Sequence, residues 1–282
     1  MRDAELTLRD GRTLAYSEIG RPGWPSVFFF HGAPSSRLRL AYLEEAFLAE
    51  GVRVISPDRP GYGRSSPSPD RSLADWAADV TALADELRLD QFAVAGHSSG
   101  GPYAAACGAL LPERVWAGIV LGGVTDMAWP AAWDGYLRDE VELMRMPEDM
   151  AIRACIDRFG EDGSRFLSAT GWVIPEPDLR LYEDEATSRL LSVARAEAFR
   201  QGIIGYAQDL AVQGRPWPFD PATIRAPFHV LHGEMDTLVP LAHSRHTASR
   251  IPRASLEILS GHGHFTVLNE LPVRIATMAR AD

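Results

Sequence analysis

Lysine is absent from this 282-residue chain: all 28 basic residues are arginine, set against 38 acidic ones, for a formal net charge of -10. The arginines are scattered, so the chain lacks the basic stripe that displaces counterions from a polyanion, which excludes nucleic acid as a partner and disfavours an anionic membrane surface. The arginine bias itself reads as biased codon usage. Cysteine is scarce, with only Cys107 and Cys155 present, far apart and without a C-x-x-C pair; no disulfide scaffold and no cysteine metal site is expected. No run approaches the ~18 apolar residues of a membrane helix. The opening MRDAELTLRDGR is charged where a secretory signal would be apolar. A soluble cytoplasmic protein, monomer or homodimer, is therefore expected.

With 46% hydrophobic and 23% charged residues, the composition is that of a folding globular chain. The length suits one large α/β domain or one domain carrying an insertion. Residues 4–20 alternate apolar and polar around Asp10-Gly11, a hairpin signal that opens the fold with two edge strands. Short apolar runs at 27–30, 52–56, 92–95, 115–121, 228–231 and 256–259 read as strands buried on both faces. Between them the clearest helix covers 72–89, with Leu73, Trp76, Ala77, Val80, Leu83, Ala84 and Leu87 on one face and Ser72 with Asp75 as a capping pair.

This alternation predicts an α/β fold with a doubly wound, mostly parallel sheet, whose site lies at the carboxyl ends of the strands. The rhythm breaks from about 125 to 214, where helical stretches and prolines replace strands. The reading divides the chain into a core of residues 1–124 and 215–282 and a helical cap of 125–214.

The chemistry concentrates at the strand ends. Gly96-His97-Ser98-Ser99-Gly100 fits G-x-S-x-G between an apolar strand and a small-residue helix, which is the setting of a nucleophile elbow. The turn strains the serine, and the flanking glycines leave room for it, so Ser98 is the candidate nucleophile. Ser99 would offer its backbone N–H to an oxyanion hole. His31-Gly32-Ala33-Pro34 follows the strand at 27–30, and the Ala33 N–H is the candidate for the second donor. A serine needs a base and the base an orienting acid. His232-Gly233-Glu234-Met235-Asp236 and Gly261-His262-Gly263-His264 follow the last two strands and supply both in the order Ser, Asp, His.

With HGAP at 31–34, DRPGYGRS at 58–65, GHSSGG at 96–101, HGEMD at 232–236 and GHGH at 261–264, the chain resembles the α/β-hydrolase-fold serine hydrolases, in the capped, esterase or proline-iminopeptidase-like branch. The resemblance implies Ser98 as nucleophile, His264 as general base and then acid, and Asp236 as the group that orients His264. His262 is the rival base; Glu234 and Asp126, the latter after the strand that precedes the cap, are the rival acids. Of the other histidines, His97 is expected to point away from Ser98 and His31 to fix the oxyanion loop. His229 reads as a core or strand residue, and His243 and His246 as residues of a surface helix. No metal and no cofactor is expected: no pair of histidines has ligand spacing, and the 58–65 glycines fit no nucleotide motif.

The implied activity is hydrolysis of an ester or related acyl bond of a small, apolar substrate through an acyl-enzyme. Specificity belongs to the cap, where Trp129, Trp133 and Trp172 are candidate substrate contacts among many large apolar residues. The acidic run at 183–185 reads as a solvated helix face. Aminopeptidase action is disfavoured, because HGAPSS and GHSSGG depart from the iminopeptidase pattern. Carbon–carbon or lactone hydrolysis uses the same residues, and a ligand-binding receptor of the same fold is the non-enzymatic alternative.

Overall fold

The computed structural model describes residues 1–281. Its strands are β1 (Arg2–Thr7), β2 (Thr13–Ile19), β3 (Ser26–Phe30), β4 (Arg53–Pro57), β5 (Phe92–His97), β6 (Val115–Leu121), β7 (Phe228–Gly233) and β8 (Ala254–Leu259). The described residues form one eight-stranded sheet in the order β1-β2-β4-β3-β5-β6-β7-β8. From β4 to β8 every pairing is parallel, while β1 with β2 and β2 with β4 are antiparallel.

The Asp10-Gly11 turn forms, with Gly11 at a φ of 86° and Leu8 N–H bonded to the Arg12 carbonyl at 2.8 Å. Of the two hairpin strands, however, only β1 is an edge. Expected as a second edge strand, β2 lies inside the sheet, because its residues from Leu14 onward are buried and its carboxylate Glu18 is neutralised by Arg53 of β4 at 2.7 Å. The outer strand β1 carries Arg2, Asp3 and Glu5, which blunt it against further pairing.

The helices are α1 (Glu44–Glu50), α2 (Leu73–Glu86), α3 (Gly101–Leu110), α4 (Arg138–Met144), α5 (Glu148–Phe159), α6 (Phe166–Ala169), α7 (Glu176–Arg180), α8 (Glu185–Ala198), α9 (Ile204–Gln213), α10 (Leu241–Arg250) and α11 (Leu271–Ala281). The expected capping pair closes as a capping box at the start of α2. This helix ends at Glu86, short of residue 89, because Arg88 takes a left-handed φ of 55° and Leu89 folds back to the Ala84 carbonyl.

Alternate strand residues feed opposite layers. Phe28, Phe30 and Val94 pack with Trp76 of α2 and Tyr103 of α3, whereas Val27, Phe29 and Ala95 pack with Phe47 of α1 and Ile275 of α11. Each buried phenylalanine contributes roughly 1.5–3 kcal/mol of transfer free energy. A third apolar cluster, including Phe159, Phe166 and Tyr206, fills the helical layer α4–α9 that the chain builds between β6 and β7.

Two buried ionic knots tie that layer to the sheet. Asp209 of α9 is fully buried and accepts from Arg59 (2.6 Å), Arg71 (3.1 Å) and the Tyr103 hydroxyl (2.5 Å). Arg37 donates both to Asp58 of the core (2.9 Å) and to Glu197 of α8 (2.6 Å). Buried charges persist only when paired and hydrogen-bonded in this way.

Candidate active site

The elbow follows directly from β5. Ser98 has a φ of 54°, one of three non-glycine residues in the left-handed region among those described. Such a serine is held there only by its surroundings. The glycines at either side are obligatory: a Cβ on Gly96 would lie 2.1 Å from the Gly100 carbonyl oxygen, and one on Gly100 would lie 2.0 Å from that of Phe30. Val124 N–H holds the Ser98 carbonyl at 3.1 Å, and α3 begins three residues later.

His264 Nδ1 donates to Asp236 Oδ2 at 2.8 Å. The other oxygen, Oδ1, accepts the Leu238 and Val239 amides at 2.8 and 3.0 Å, so the carboxylate is fixed from both sides. Burial pushes the Asp236 carboxyl up, but the facing His264, the hydrogen bond from it and the charge of His232 outweigh burial and hold it below the usual carboxylate range. The rivals lie elsewhere. Asp126 accepts the Ala128 and Trp217 amides, His262 turns back to the Ser260 carbonyl at 3.0 Å, and Glu234 takes the Ser260 hydroxyl.

Ser98, His264 and Ala33 line one cavity of about 190 Å³ between the sheet and the helical layer. Ser98 and His264 share a wall of this cavity, and no hydrogen bond joins Ser98 Oγ to His264 among the described residues. Ser99 is buried in the turn immediately after Ser98. The Ala33 loop is braced from behind: Arg59 donates to the His31 carbonyl through its guanidinium and to His31 Nε2 through its amide at 3.2 Å. Burial, reinforced by Arg59, keeps His31 neutral by driving its pKa well down.

Of the three cap tryptophans, Trp172 alone lines this cavity, packed edge-on against Phe166 at 5.4 Å. Trp129 and Trp133 do not reach it. Trp129 stacks on His246 at 4.2 Å over a separate crevice, and Trp133 lies under the Arg145 guanidinium at 4.4 Å. Apolar character is the sequence signal for all three, and it does not distinguish a cavity wall from a packing face.

Two histidines depart from their expected places, and a third has none. His97 faces the site: its ring centre is 4.6 Å from that of His264, and its Nε2 donates to the His264 carbonyl at 2.8 Å. The strand alternation that would have turned it away ends where Ser98 becomes left-handed. His243 is fully buried on α10, accepting the Thr125 amide and donating to the Ala132 carbonyl, and burial lowers it to about 4. His232, which carries no sequence signal beyond the HGEMD string, is buried 3.7 Å from Asp236.

Glu140 of α4 has no sequence signal at all. It is buried in the cavity wall, accepts the Tyr136 and Tyr206 hydroxyls at 2.8 and 3.2 Å, and is pushed up to about 7 by burial. Among the described residues no cluster of metal-ligating side chains is present, and no helix is long and apolar enough to cross a membrane.

A sheet with this order, a strained serine after β5, an acid after β7 and a histidine after β8 define the class. The family model described as alpha/beta hydrolase fold matches residues 25–271, and the chain belongs to that family. It is 27% identical over 275 residues, covering 95% of this chain and 94% of the other, to an uncharacterized hydrolase of Bacillus subtilis. A non-heme haloperoxidase of Rhodococcus erythropolis is 28% identical, with 93% of each chain covered. Among solved structures, the thermophilic esterase from Thermogutta terrifontis matches with a TM-score of 0.67 at 21% identity, over 100% of this chain and 97% of that one. Epoxide Hydrolase A from Mycobacterium thermoresistibile matches at 0.74 and 22%, over 99% and 98%. At that distance the solved structures report the fold, and the reaction has to be argued from the site.

Proposed function

We propose that the protein is a serine hydrolase that cleaves an ester or related acyl bond of a small substrate through an acyl-enzyme. The observation that carries this reading is the left-handed Ser98 sharing a cavity with a histidine whose Nδ1 is locked to Asp236 at 2.8 Å. With that tautomer fixed, His264 Nε2 is free to take the Ser98 proton as Oγ attacks the carbonyl carbon, and to return it to the leaving group. The Ala33 and Ser99 amides are the proposed oxyanion donors, each worth ~3 kcal/mol in the transition state. Water then releases the acid and regenerates Ser98. Phe166, Trp172, Leu238 and Val239 give the acyl group an apolar wall.

Labelling with a fluorophosphonate followed by peptide mapping tests the reading. Rapid modification at Ser98, lost in Ser98→Ala and in His264→Ala, supports an activated serine; a folded wild type that resists the reagent contradicts it and favours a ligand-binding role. The resemblance to the Rhodococcus haloperoxidase supports a second reading, in which hydrogen peroxide replaces water as acyl acceptor and the product is a peracid. Peracid formation from acetate and peroxide, dependent on Ser98, would support it.

A further inference from the structure

Five arginines are buried among the described residues: Arg37, Arg39, Arg53, Arg59 and Arg71. Four of them are neutralised by carboxylates, Arg37 by Asp3, Asp58 and Glu197, Arg53 by Glu18, and Arg59 and Arg71 by Asp209. Arg39 is the exception. It is 7% exposed, makes no ion pair among the described residues, and its Nη2 is buried without a hydrogen-bond acceptor. A guanidinium does not shed its proton, so burial without an anionic partner leaves a cation eased only by the face of the Phe265 ring.

That cation lies in the reaction cavity. Arg39 lines it, its guanidinium carbon sits 5.0 Å from the ring centre of Phe265 beside His264, and its charge contributes, after burial and His264, to holding His97 in the neutral form. A second arginine without an ion pair among the described residues, Arg195, lines the same cavity from α8. The two elements are in direct contact, with Ser36 Oγ donating to the Ala194 carbonyl at 2.8 Å.

Two carboxylates lie nearby, and neither pairs with Arg39. Glu140 accepts two tyrosine hydroxyls. Asp178 accepts the Phe265 and Thr266 amides and the Thr266 hydroxyl through Oδ1; its Oδ2 is unpartnered, yet it is beyond ion-pair distance of Arg39.

We propose that Arg39, assisted by Arg195, is an anion subsite inside the reaction cavity that binds a carboxylate carried by the substrate. The substrate is then an acidic ester, thioester or lactone whose remaining surface is apolar, and not the wholly apolar molecule that the sequence suggests. A carboxylate matches the fork of one guanidinium with two parallel hydrogen bonds, and the low-dielectric wall makes that pairing strong. The substrate class rests on the hydrolase reading above, whereas binding of the carboxylate does not require turnover.

The test therefore begins with binding to the Ser98→Ala protein. Calorimetric titration with monomethyl glutarate and with dimethyl glutarate compares two molecules that differ in one free carboxylate. The proposal expects the monoester to bind at least tenfold tighter, and Arg39→Met to erase that preference, a loss of about 10- to 100-fold. Arg39→Lys should keep part of it, having the charge without the fork. Arg195→Met, on a half-buried position, should weaken the monoester several-fold in a fold that Arg39 still supports.

Equal binding of the two glutarates, tighter binding of inorganic phosphate than of monomethyl glutarate, or a preference that survives Arg39→Met would overturn the proposal. So would coupled destabilisation by Arg39→Met and Asp178→Asn without any carboxylate binding, which would mark the two as a structural pair. In active protein, the ratio of kcat/KM for monoester over diester should fall at least tenfold in Arg39→Met. Failure of the hydrolase reading would show separately, as absent Ser98 labelling while monoester binding persists.

Discussion

His97 Nε2 donates to the main-chain carbonyl of His264 at 2.8 Å, so the residue that precedes Ser98 anchors the loop that carries His264. Burial drives the His97 pKa well down, with the charges of His264 and Arg39 adding to it. The ring is thus a neutral, fixed donor that sets the spacing between β5 and the loop after β8.

Replacing this donor should loosen the reacting pair without unfolding the protein. His97→Leu is expected to lower kcat by about 10- to 100-fold with a smaller change in KM, since a misplacement of about 1 Å at a reacting centre costs on that order. Steady-state kinetics on a 4-nitrophenyl ester, with a melting curve as the fold control, checks it. Unchanged kcat would show that the loop is positioned without His97.

Asp236→Asn keeps the shape of the side chain while removing the charge that fixes the His264 tautomer. The expected loss in kcat is about 10² to 10⁴-fold, by the logic of the orienting acid in such triads, with the circular dichroism spectrum of the wild type retained. Asp126→Asn should leave kcat within about twofold, because its carboxylate is spent on the Ala128 and Trp217 amides. The reverse ranking of the two variants would reassign the acid.

Asp209 neutralises Arg59 and Arg71 in a fully buried setting, and Arg59 in turn braces His31. Removal of one member of such a cluster leaves uncompensated cations. Asp209→Ala should cost about 3–5 kcal/mol in urea denaturation, one of the largest single losses available outside the apolar core. A cost below ~1 kcal/mol would mean that water or a shifted side chain replaces the carboxylate.

Glu140 gives stability a distinctive pH dependence. Burial raises its pKa from the ordinary 4.5 to about 7, so the folded protein binds this proton more tightly than the unfolded chain does. The contribution is fully present below about pH 4.5 and is lost as pH rises through 7, with an amplitude of about 1–3 kcal/mol. Asp58, raised to about 6 by burial despite Arg37, acts in the same direction. Glu140→Gln should therefore flatten the decline of melting temperature between pH 5 and 8, leaving the Asp58 part. A slope identical to wild type would place the titration elsewhere.

The parts of the molecule that the sequence reveals are those where one residue type meets one local demand. The strands at 27–30 and 92–95 are legible because residues buried on both faces must be apolar, and Gly96 and Gly100 because no side chain fits against the Gly100 and Phe30 carbonyls. The place of β2 is less legible, since its burial depends on the distant Arg53 that neutralises Glu18. His97, Glu140 and Arg39 depend wholly on partners far along the chain. Nothing local separates Arg39 from Arg37, yet one is paired three times over and the other lines the cavity without a partner. The tryptophans fail for the converse reason: Trp129 and Trp172 are alike in sequence character and differ only in which surface the helical layer turns toward Ser98.

Covalent catalysis by Ser98 is the claim on which the rest depends, and trapping the intermediate tests it most directly. Wild-type protein is mixed with 4-nitrophenyl butyrate, quenched in acid during turnover, digested and mapped by mass spectrometry. The account predicts a butyryl adduct on the peptide that contains Ser98, formed with a burst of nitrophenol and absent from Ser98→Ala, which should lose activity by about 10⁴ to 10⁶-fold. Turnover without an adduct on that peptide, or most of the activity surviving in Ser98→Ala, would contradict it.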